Sequence, residues 1–227
     1  MTNAPGLTTT VPWNVVGTAA VVDLEAACEL YGRSVLPYPL GRSRPVGSVW
    51  LATRDVGLID DRLHDGDLRS VRAWVEALVR ADVCVECRVT YSDAEIPDLR
   101  LHGLRADESG FLAVQRSDRA VVDAVDIYAV PPGELGAAIA DAVGLVGAGT
   151  HAHLAVAGFG EQLPAPPTAA AEYDDFGFPI PQPDHGGPAV VTVDAHDVVA
   201  SGTVQTRSEP AAEWGVTPGQ PVLQWVQ

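Results

Sequence analysis

The chain has 227 residues, and 47% of them are hydrophobic, so there is ample apolar material for one large or two small folded domains. Its formal net charge is -16, and all 14 basic residues are arginine because the sequence contains no lysine. The acidic balance disfavours binding to nucleic acid or to an anionic membrane surface, and the lack of lysine excludes Schiff-base enzymes and lysine-dependent phosphate sites.

The first predicted elements are a short strand and a helix. Residues 13–17 form an apolar run typical of a strand, and Thr18 is placed to cap the helix that follows. Gly32 is suited to end this helix, whose inward face repeats at helical spacing and comprises Val21, Leu24, Cys28 and Tyr31. Prolines punctuate residues 35–47 and predict an irregular connection, after which residues 48–57 predict a second helix.

The clearest helical pattern covers residues 67–81. Arg72, Glu76 and Arg80 lie four residues apart on its polar face, where opposite charges stabilise a helix. The opposite face is apolar and comprises Leu68, Val71, Trp74, Val75, Leu78 and Val79. This segment therefore predicts an amphipathic helix that packs on the protein core.

Residues 83–91, VCVECRVTY, raise the question of whether their C-x-x-C pair is a metal or redox site. The run alternates with a period of two, which predicts a half-buried strand with Cys84 and Cys87 on opposite faces. A redox pair needs a helix N-terminus, and a zinc site needs a second pair of ligands at close spacing; neither accompanies this run. We interpret both thiols, and the inward-facing Cys28, as structural residues.

Three further strands are predicted at residues 98–106, 111–117 and 121–130. Their connections are only a few residues long, which suits antiparallel neighbours, because parallel strands require a long crossover. Together with residues 83–91 they predict an antiparallel meander. A helix ended by Gly144 follows, and its inward face comprises Leu135, Ala138, Ile139, Ala142 and Val143.

The last part of the chain has a different character. A strand is predicted over residues 151–158, but residues 161–188 contain seven prolines and no basic residue, which predicts a long loop. Late strands are predicted at 189–194, 198–207 and 221–227. The predicted organisation is a disordered N-terminus (1–12), an α+β core (13–160), a proline-rich acidic loop (161–188) and C-terminal strands that complete the sheet (189–227).

The sequence also bears on the compartment. No segment approaches the roughly 18 uncharged apolar residues of a membrane-spanning helix, and residues 1–10 lack the basic start and apolar centre of a secretion signal. The three cysteines are too few and too unevenly spaced for a disulfide framework. We therefore expect a cytoplasmic location without membrane insertion.

Enzyme signatures are sparse in this sequence. It contains neither a G-x-S-x-G nucleophile elbow nor an H-E-x-x-H zinc motif. His151 and His153 would share one face of a strand, and His185, His196 or an acidic residue could complete a metal site in space. A metal-dependent hydrolase is therefore the alternative to a protein without catalytic residues or cofactors.

Three stretches, taken in order over residues 13–157, resemble the EspG family of chaperones for type VII (ESX) secretion in mycobacteria and other actinobacteria. They are LPYPL at residues 36–40, VWLATRDVGLID with the amphipathic helix that ends in VRAD, and the strand set from VCVECRVTY to the helix PPGELGAAIADAVGL. The resemblance implies an α+β fold with a central antiparallel sheet, flanking helices and two related halves. The second half is shortened here, because the loop 161–188 stands where family members carry helices.

The resemblance further implies a cytoplasmic chaperone or adaptor, monomeric or homodimeric, that binds PE–PPE heterodimers at the PPE tip and routes them to secretion. A structural module of a larger machine is another alternative. A holding chaperone needs an exposed apolar or mixed patch. The sequence offers two places, the loop 91–98 and the solvent face of the sheet, with the candidate residues Tyr91, Asp93, Glu95, Ile96 and Asp98 in the loop and Arg88, Arg100 and His102 on the sheet.

Overall fold

The computed structural model describes residues 13–43, 57–117, 123–145, 154–156, 191–215 and 220–227. Its strands are β1 (Val15–Ala20), β2 (Val83–Tyr91), β3 (Leu99–Ala106), β4 (Ser109–Ser117), β5 (Asp123–Ala129), β6 (Leu154–Val156), β7 (Val191–Val193), β8 (Ala200–Arg207) and β9 (Val222–Val226). Its α-helices are α1 (Val21–Leu30), α2 (Ile59–His64), α3 (Arg72–Val79) and α4 (Leu135–Ala142). Short 3-10 segments lie at Arg69–Val71, Pro132–Glu134 and Ala195–Asp197.

Seven of the strands form one open antiparallel sheet in the order β1-β5-β4-β3-β2-β8-β9. Strands β2 to β5 follow one another along the chain and across the sheet, so the predicted meander is confirmed. β1 adds to one side of the meander, and β8 and β9 add to the other. The predicted α+β class, with an antiparallel sheet and flanking helices, is therefore confirmed.

Both faces of the sheet are covered. Helices α1, α2 and α3 pack on one face, where Leu24, Leu63 and Trp74 join Leu104 and Ile127 in one buried cluster. Helix α4 packs on the other face, where a second cluster comprises Leu135, Ala138 and Ile139 with Leu101, Leu112 and Tyr128. The prediction of a half-buried strand at 83–91 is therefore wrong, because Cys84 and Glu86 on one face of β2 and Cys87 and Val89 on the other are all buried.

The start and end of α1 test two sequence predictions. Thr18 is not the helix cap; it lies in β1, and its hydroxyl donates a 2.6 Å hydrogen bond to Asp126 on β5. Thr18 therefore links β1 to β5 and does not cap α1. Gly32 adopts a φ of +82° directly after the helix, and the N–H of Arg33 donates to the carbonyl of Cys28 at 2.9 Å, so the predicted helix end is confirmed.

The amphipathic segment 67–81 divides into the 3-10 segment Arg69–Val71 and α3. Its apolar face is buried except at Val79, which is 48% exposed at the last position of the helix; the prediction for this residue is wrong. Helix α2, which the sequence pattern did not predict, precedes it. Arg62 of α2 binds Asp23 of α1 at 2.7 Å and Asp67 at 2.8 Å, so this charged cluster links α1, α2 and the start of the segment.

Helix α4 confirms its predicted inward face and its end at Gly144, where φ is +71°. Strands β6 and β7 differ from expectation, because they pair with each other in parallel as a separate two-stranded sheet. They belong to a second compact unit, residues 147–199. Of the predicted late strands, β8 and β9 join the main sheet and β7 does not. The segments 1–12 and 161–188, and residues 48–56 of the second predicted helix, lie outside the described residues.

Candidate functional site

The hairpin of β2 and β3 carries the predicted binding loop. Residues 92–98 connect the two strands, and Asp93 orders the turn: its side chain accepts from the N–H of Glu95 at 2.8 Å, and its carbonyl accepts from Ile96 at 3.0 Å. Asp93, Glu95 and Ile96 are all exposed, and the apolar side chain of Ile96 is 40% accessible. The loop therefore presents one apolar residue beside two acidic ones in a defined turn.

An ion pair closes the base of this loop. The Nε of Arg88 on β2 donates to Asp98 at 2.9 Å, directly before β3 begins. Partial burial, together with the charge of Asp98, raises the pKa of Tyr91 at the end of β2. Five of the predicted residues, Tyr91, Asp93, Glu95, Ile96 and Asp98, are thus brought together at one end of the hairpin, with Arg88 as their support.

Near the sheet residues Arg88 and Arg100 lie aromatic residues that the sequence patterns did not single out. Arg88 and Arg100 are directly opposite each other in the β2–β3 register. Although burial lowers the pKa of the Arg88 guanidinium, the nearby Tyr38 side chain helps to raise it, and the Tyr38 ring lies 5.8 Å from that of the exposed Trp214. Arg100 donates to the carbonyl of Gly41 at 3.3 Å. Arginine, tyrosine and tryptophan are the residue types that dominate binding energy at protein interfaces. We call Arg88, Tyr38 and Trp214 the aromatic–arginine patch.

His102 does not lie on the solvent face of the sheet, so this sequence prediction is wrong. Its side chain is fully buried, on the face of the sheet that carries α1, α2 and α3, and neither ring nitrogen has a hydrogen-bond partner among the described residues. Burial, with a smaller contribution from the charge of Arg33, lowers the pKa of His102 to about 3, so the imidazole is neutral. Period-two alternation placed it correctly beside Arg100, but could not show what covers that face.

A row of buried polar side chains crosses the sheet next to this patch. Glu86 on β2 lies between two register partners, His102 on β3 and Gln205 on β8. Glu86 is fully buried; its carboxylate accepts from Gln205 at 2.6 Å and lies 2.8 Å from the Nε of Arg207. The latter contact is an ion pair whose N–H is not aligned as a hydrogen bond. The row therefore holds a buried carboxylate with Arg207 as its counter-charge.

Two chain segments enclose the buried row. The 31–43 connection is held by Gln115, whose amide accepts from the N–H of Gly41 at 2.9 Å and donates to its carbonyl at 2.7 Å. The 208–215 segment meets this connection where the backbone N–H of Tyr38 donates to the carbonyl of Ala211 at 2.7 Å and the guanidinium of Arg33 donates to that of Pro210 at 3.1 Å. These segments also position the Tyr38 and Trp214 rings beside Arg88.

The three thiols fit the structural interpretation. Burial raises the pKa of Cys28 to about 11 and the pKa of Cys84 and Cys87 to about 12, which keeps the unreactive thiol form. Cys84 and Cys87 belong to the clusters on opposite faces of the sheet, as predicted. Within the described ranges, no group of three or more His, Cys, Asp or Glu side chains is arranged to hold a metal ion. His151, His153 and His185 lie outside those ranges, and His196 is exposed.

The comparison with known proteins leaves the resemblance to EspG as a proposal. No family model matches the chain, and no curated protein is significantly similar to it. Among the helices of the described part, none has the length and apolar character that crossing a membrane would require.

Proposed function

We propose that this protein is a non-enzymatic, cytoplasmic chaperone or adaptor of the EspG kind. Its client would be a PE–PPE type heterodimer, held at the PPE tip through the β2–β3 loop and the aromatic–arginine patch. The ordered resemblance of residues 13–157 motivates this proposal, and the α+β architecture agrees with it.

The observation that carries the proposal is the construction of the β2–β3 hairpin. The ion pair of Arg88 with Asp98 and the turn at Asp93 hold Ile96 outward at the tip. A preordered loop loses little conformational entropy on binding, and a partly exposed apolar side chain gives up water when a client covers it. The patch beside the loop offers arginine and aromatic groups for the same client surface.

The proposal is tested by co-expression with the PE–PPE pair encoded at the same locus. We expect the pair to co-purify with the wild-type protein, and Ile96→Asp to weaken the complex about tenfold or more, because the contact centre then carries an uncompensated charge. Affinity is measured by calorimetry or biolayer interferometry on purified components.

A matched control is Val79→Asp, which introduces the same charge at a different exposed β-branched apolar residue, at the end of α3. It should leave the affinity unchanged. If the wild-type protein neither binds the pair nor increases its solubility, the proposed function is wrong; if both variants bind equally to the wild type, the loop is not the contact.

A further inference from the structure

Strand β9 forms one outer edge of the seven-stranded sheet. It pairs with β8 without any register irregularity, from Gln205 opposite Val222 to Ser201 opposite Val226. Directly beyond the strand, Ala200 and Gln227 exchange both backbone hydrogen bonds, at 3.2 and 2.9 Å. This exchange fixes the direction in which every backbone group of β9 points.

Hydrogen-bonded and non-hydrogen-bonded pairs alternate along an antiparallel ladder. Because Gln227 is in a hydrogen-bonded pair, Trp225 and Leu223 also direct their N–H and C=O groups toward β8. Val222, Gln224 and Val226 then direct theirs away from β8, toward the outer side of the strand. Three residues of β9 thus carry donors and acceptors that β8 does not use.

Strand β9 itself lacks two of the devices that normally keep sheet edges from pairing, namely charged side chains and a bulge. Residues 220–227, QPVLQWVQ, contain no charged side chain, although the chain has 44 Lys, Arg, Asp and Glu residues among 227. Charged side chains, bulges, proline and short length are the usual protections of an edge strand, and the one proline of this segment, Pro221, precedes the strand. The opposite edge strand, β1, does have a register irregularity between Val15 and Gly17. Leu223 of β9 is 53% exposed.

We propose that the outer side of β9 binds β9 of a second copy of this chain, in antiparallel orientation about a two-fold axis at Gln224. The sequence VLQWV is symmetric in hydrophobic character around Gln224, with valine at both ends and Leu223 and Trp225 flanking the centre. A two-fold axis requires a surface that complements itself, which this strand provides. The inference does not depend on the proposed chaperone function.

The register about Gln224 satisfies the backbone and the side chains together. The facing pairs would be Gln224 with Gln224, and Val222 with Val226 twice, which are the residues that direct their backbone groups outward. Each such pair exchanges two hydrogen bonds. Leu223 would lie opposite Trp225 of the second copy in the closer, non-hydrogen-bonded positions, where apolar side chains interact most.

Trp225 is held in place for this contact. Its indole lies over Gly202 of β8 so closely that a Cβ atom built there would come within 2.1 Å of the ring. The ring therefore lies close over the β8 backbone beside the edge, instead of projecting freely into solvent. In the paired state, Leu223 of the second copy would lie against the apolar surface of Trp225. This contact would remove that leucine from water.

The test is the oligomeric state of the full chain, measured by sedimentation velocity over a concentration series. We expect a concentration-dependent dimer of the wild-type protein. Gln224→Glu and Gln224→Lys should each weaken it about tenfold or more, because the two-fold axis places identical charges opposite each other. An equimolar mixture of the two variants should restore dimers, because opposite charges then face each other.

Gln224 is exposed, so neither substitution disturbs the fold, and far-ultraviolet circular dichroism verifies this. Asn14→Asp, an exposed residue before β1 at the other edge, adds the same charge as Gln224→Glu and should leave the dimer intact. A monomeric wild-type protein overturns the proposal. So does a dimer that is insensitive to the Gln224 variants, or an edge that pairs only with an extended segment of another protein.

Discussion

The buried Glu86–Arg207 pair leads to a prediction about stability. We expect Arg207→Met to lower the free energy of unfolding by about 3 kcal/mol, because it leaves a fully buried carboxylate without its counter-charge. Methionine keeps most of the volume and apolar contacts of the arginine stem, while the change removes the charge and the hydrogen bond from Arg207 to the carbonyl of Gly215.

The magnitude follows from the surroundings of the carboxylate. Removal of one partner of a buried ion pair costs about 3 to 5 kcal/mol. The lower end applies here, because Gln205 retains its 2.6 Å hydrogen bond to Glu86 and the Arg207 side chain is itself 15% exposed, which gives water a route to the site. With a urea m-value of about 2 kcal/mol/M, the unfolding midpoint should fall by about 1.5 M.

The assay is urea unfolding followed by tryptophan fluorescence and circular dichroism. Arg105→Met is the matched control, since Arg105 pairs with Asp82 at 2.9 Å but the two side chains are 43% and 54% exposed; its effect should be much smaller. The double variant Glu86→Met with Arg207→Met should be more stable than Arg207→Met alone, because no buried charge is left. Equal losses for both arginines, or additive losses in the double variant, would refute this reasoning.

Two further predictions concern groups buried in the same layers. The pKa of His102 is lowered from 6.5 to about 3, so below about pH 6.5 the unfolded chain binds a proton that the folded protein does not, and stability should decrease by up to about 1.4 kcal/mol per pH unit. His102→Leu should flatten this decrease in urea unfolding series between pH 7 and 4; an unchanged slope would show that other groups cause it. Because the pKa values of Cys28, Cys84 and Cys87 are raised to about 11 or 12, the native thiols should react with Ellman's reagent near pH 8 far more slowly than after denaturation. Rapid labelling of a native thiol would contradict the buried positions.

Local patterns in the sequence predict the elements of this fold well. The bounds of β2 are those of the alternating run 83–91, and Gly32 and Gly144 end their helices as expected. Short connections also predict the meander, because they leave antiparallel pairing as the only geometry. Thr18 shows the limit of such reasoning: a residue suited to cap a helix instead bonds Asp126, 108 residues away.

The surroundings of the candidate site depend on contacts between segments that are distant in sequence. The alternation along β2 and β3 correctly placed Arg88, Arg100 and His102 on one face. It could not distinguish Arg100 from His102 in exposure, because the covering layer comes from α1, α2, α3 and the 31–43 connection. Tyr38 and Trp214 have no common motif, and only the folded chain brings their rings to 5.8 Å.

The buried polar row gives a physical reason for the register in which β8 joins the meander. A slip of two residues would keep every side chain on its proper face, so hydrophobic alternation alone does not exclude it. The slip that places Thr203 opposite Glu86 would withdraw the Gln205 amide from its 2.6 Å bond and move Arg207 away from the carboxylate. An unpaired buried carboxylate costs several kcal/mol, whereas an apolar row would leave the slipped and native registers close in energy. Glu86, Gln205 and Arg207 therefore disfavour this slip of β8, and the register of β8 fixes the residues that β9 presents at the edge of the sheet.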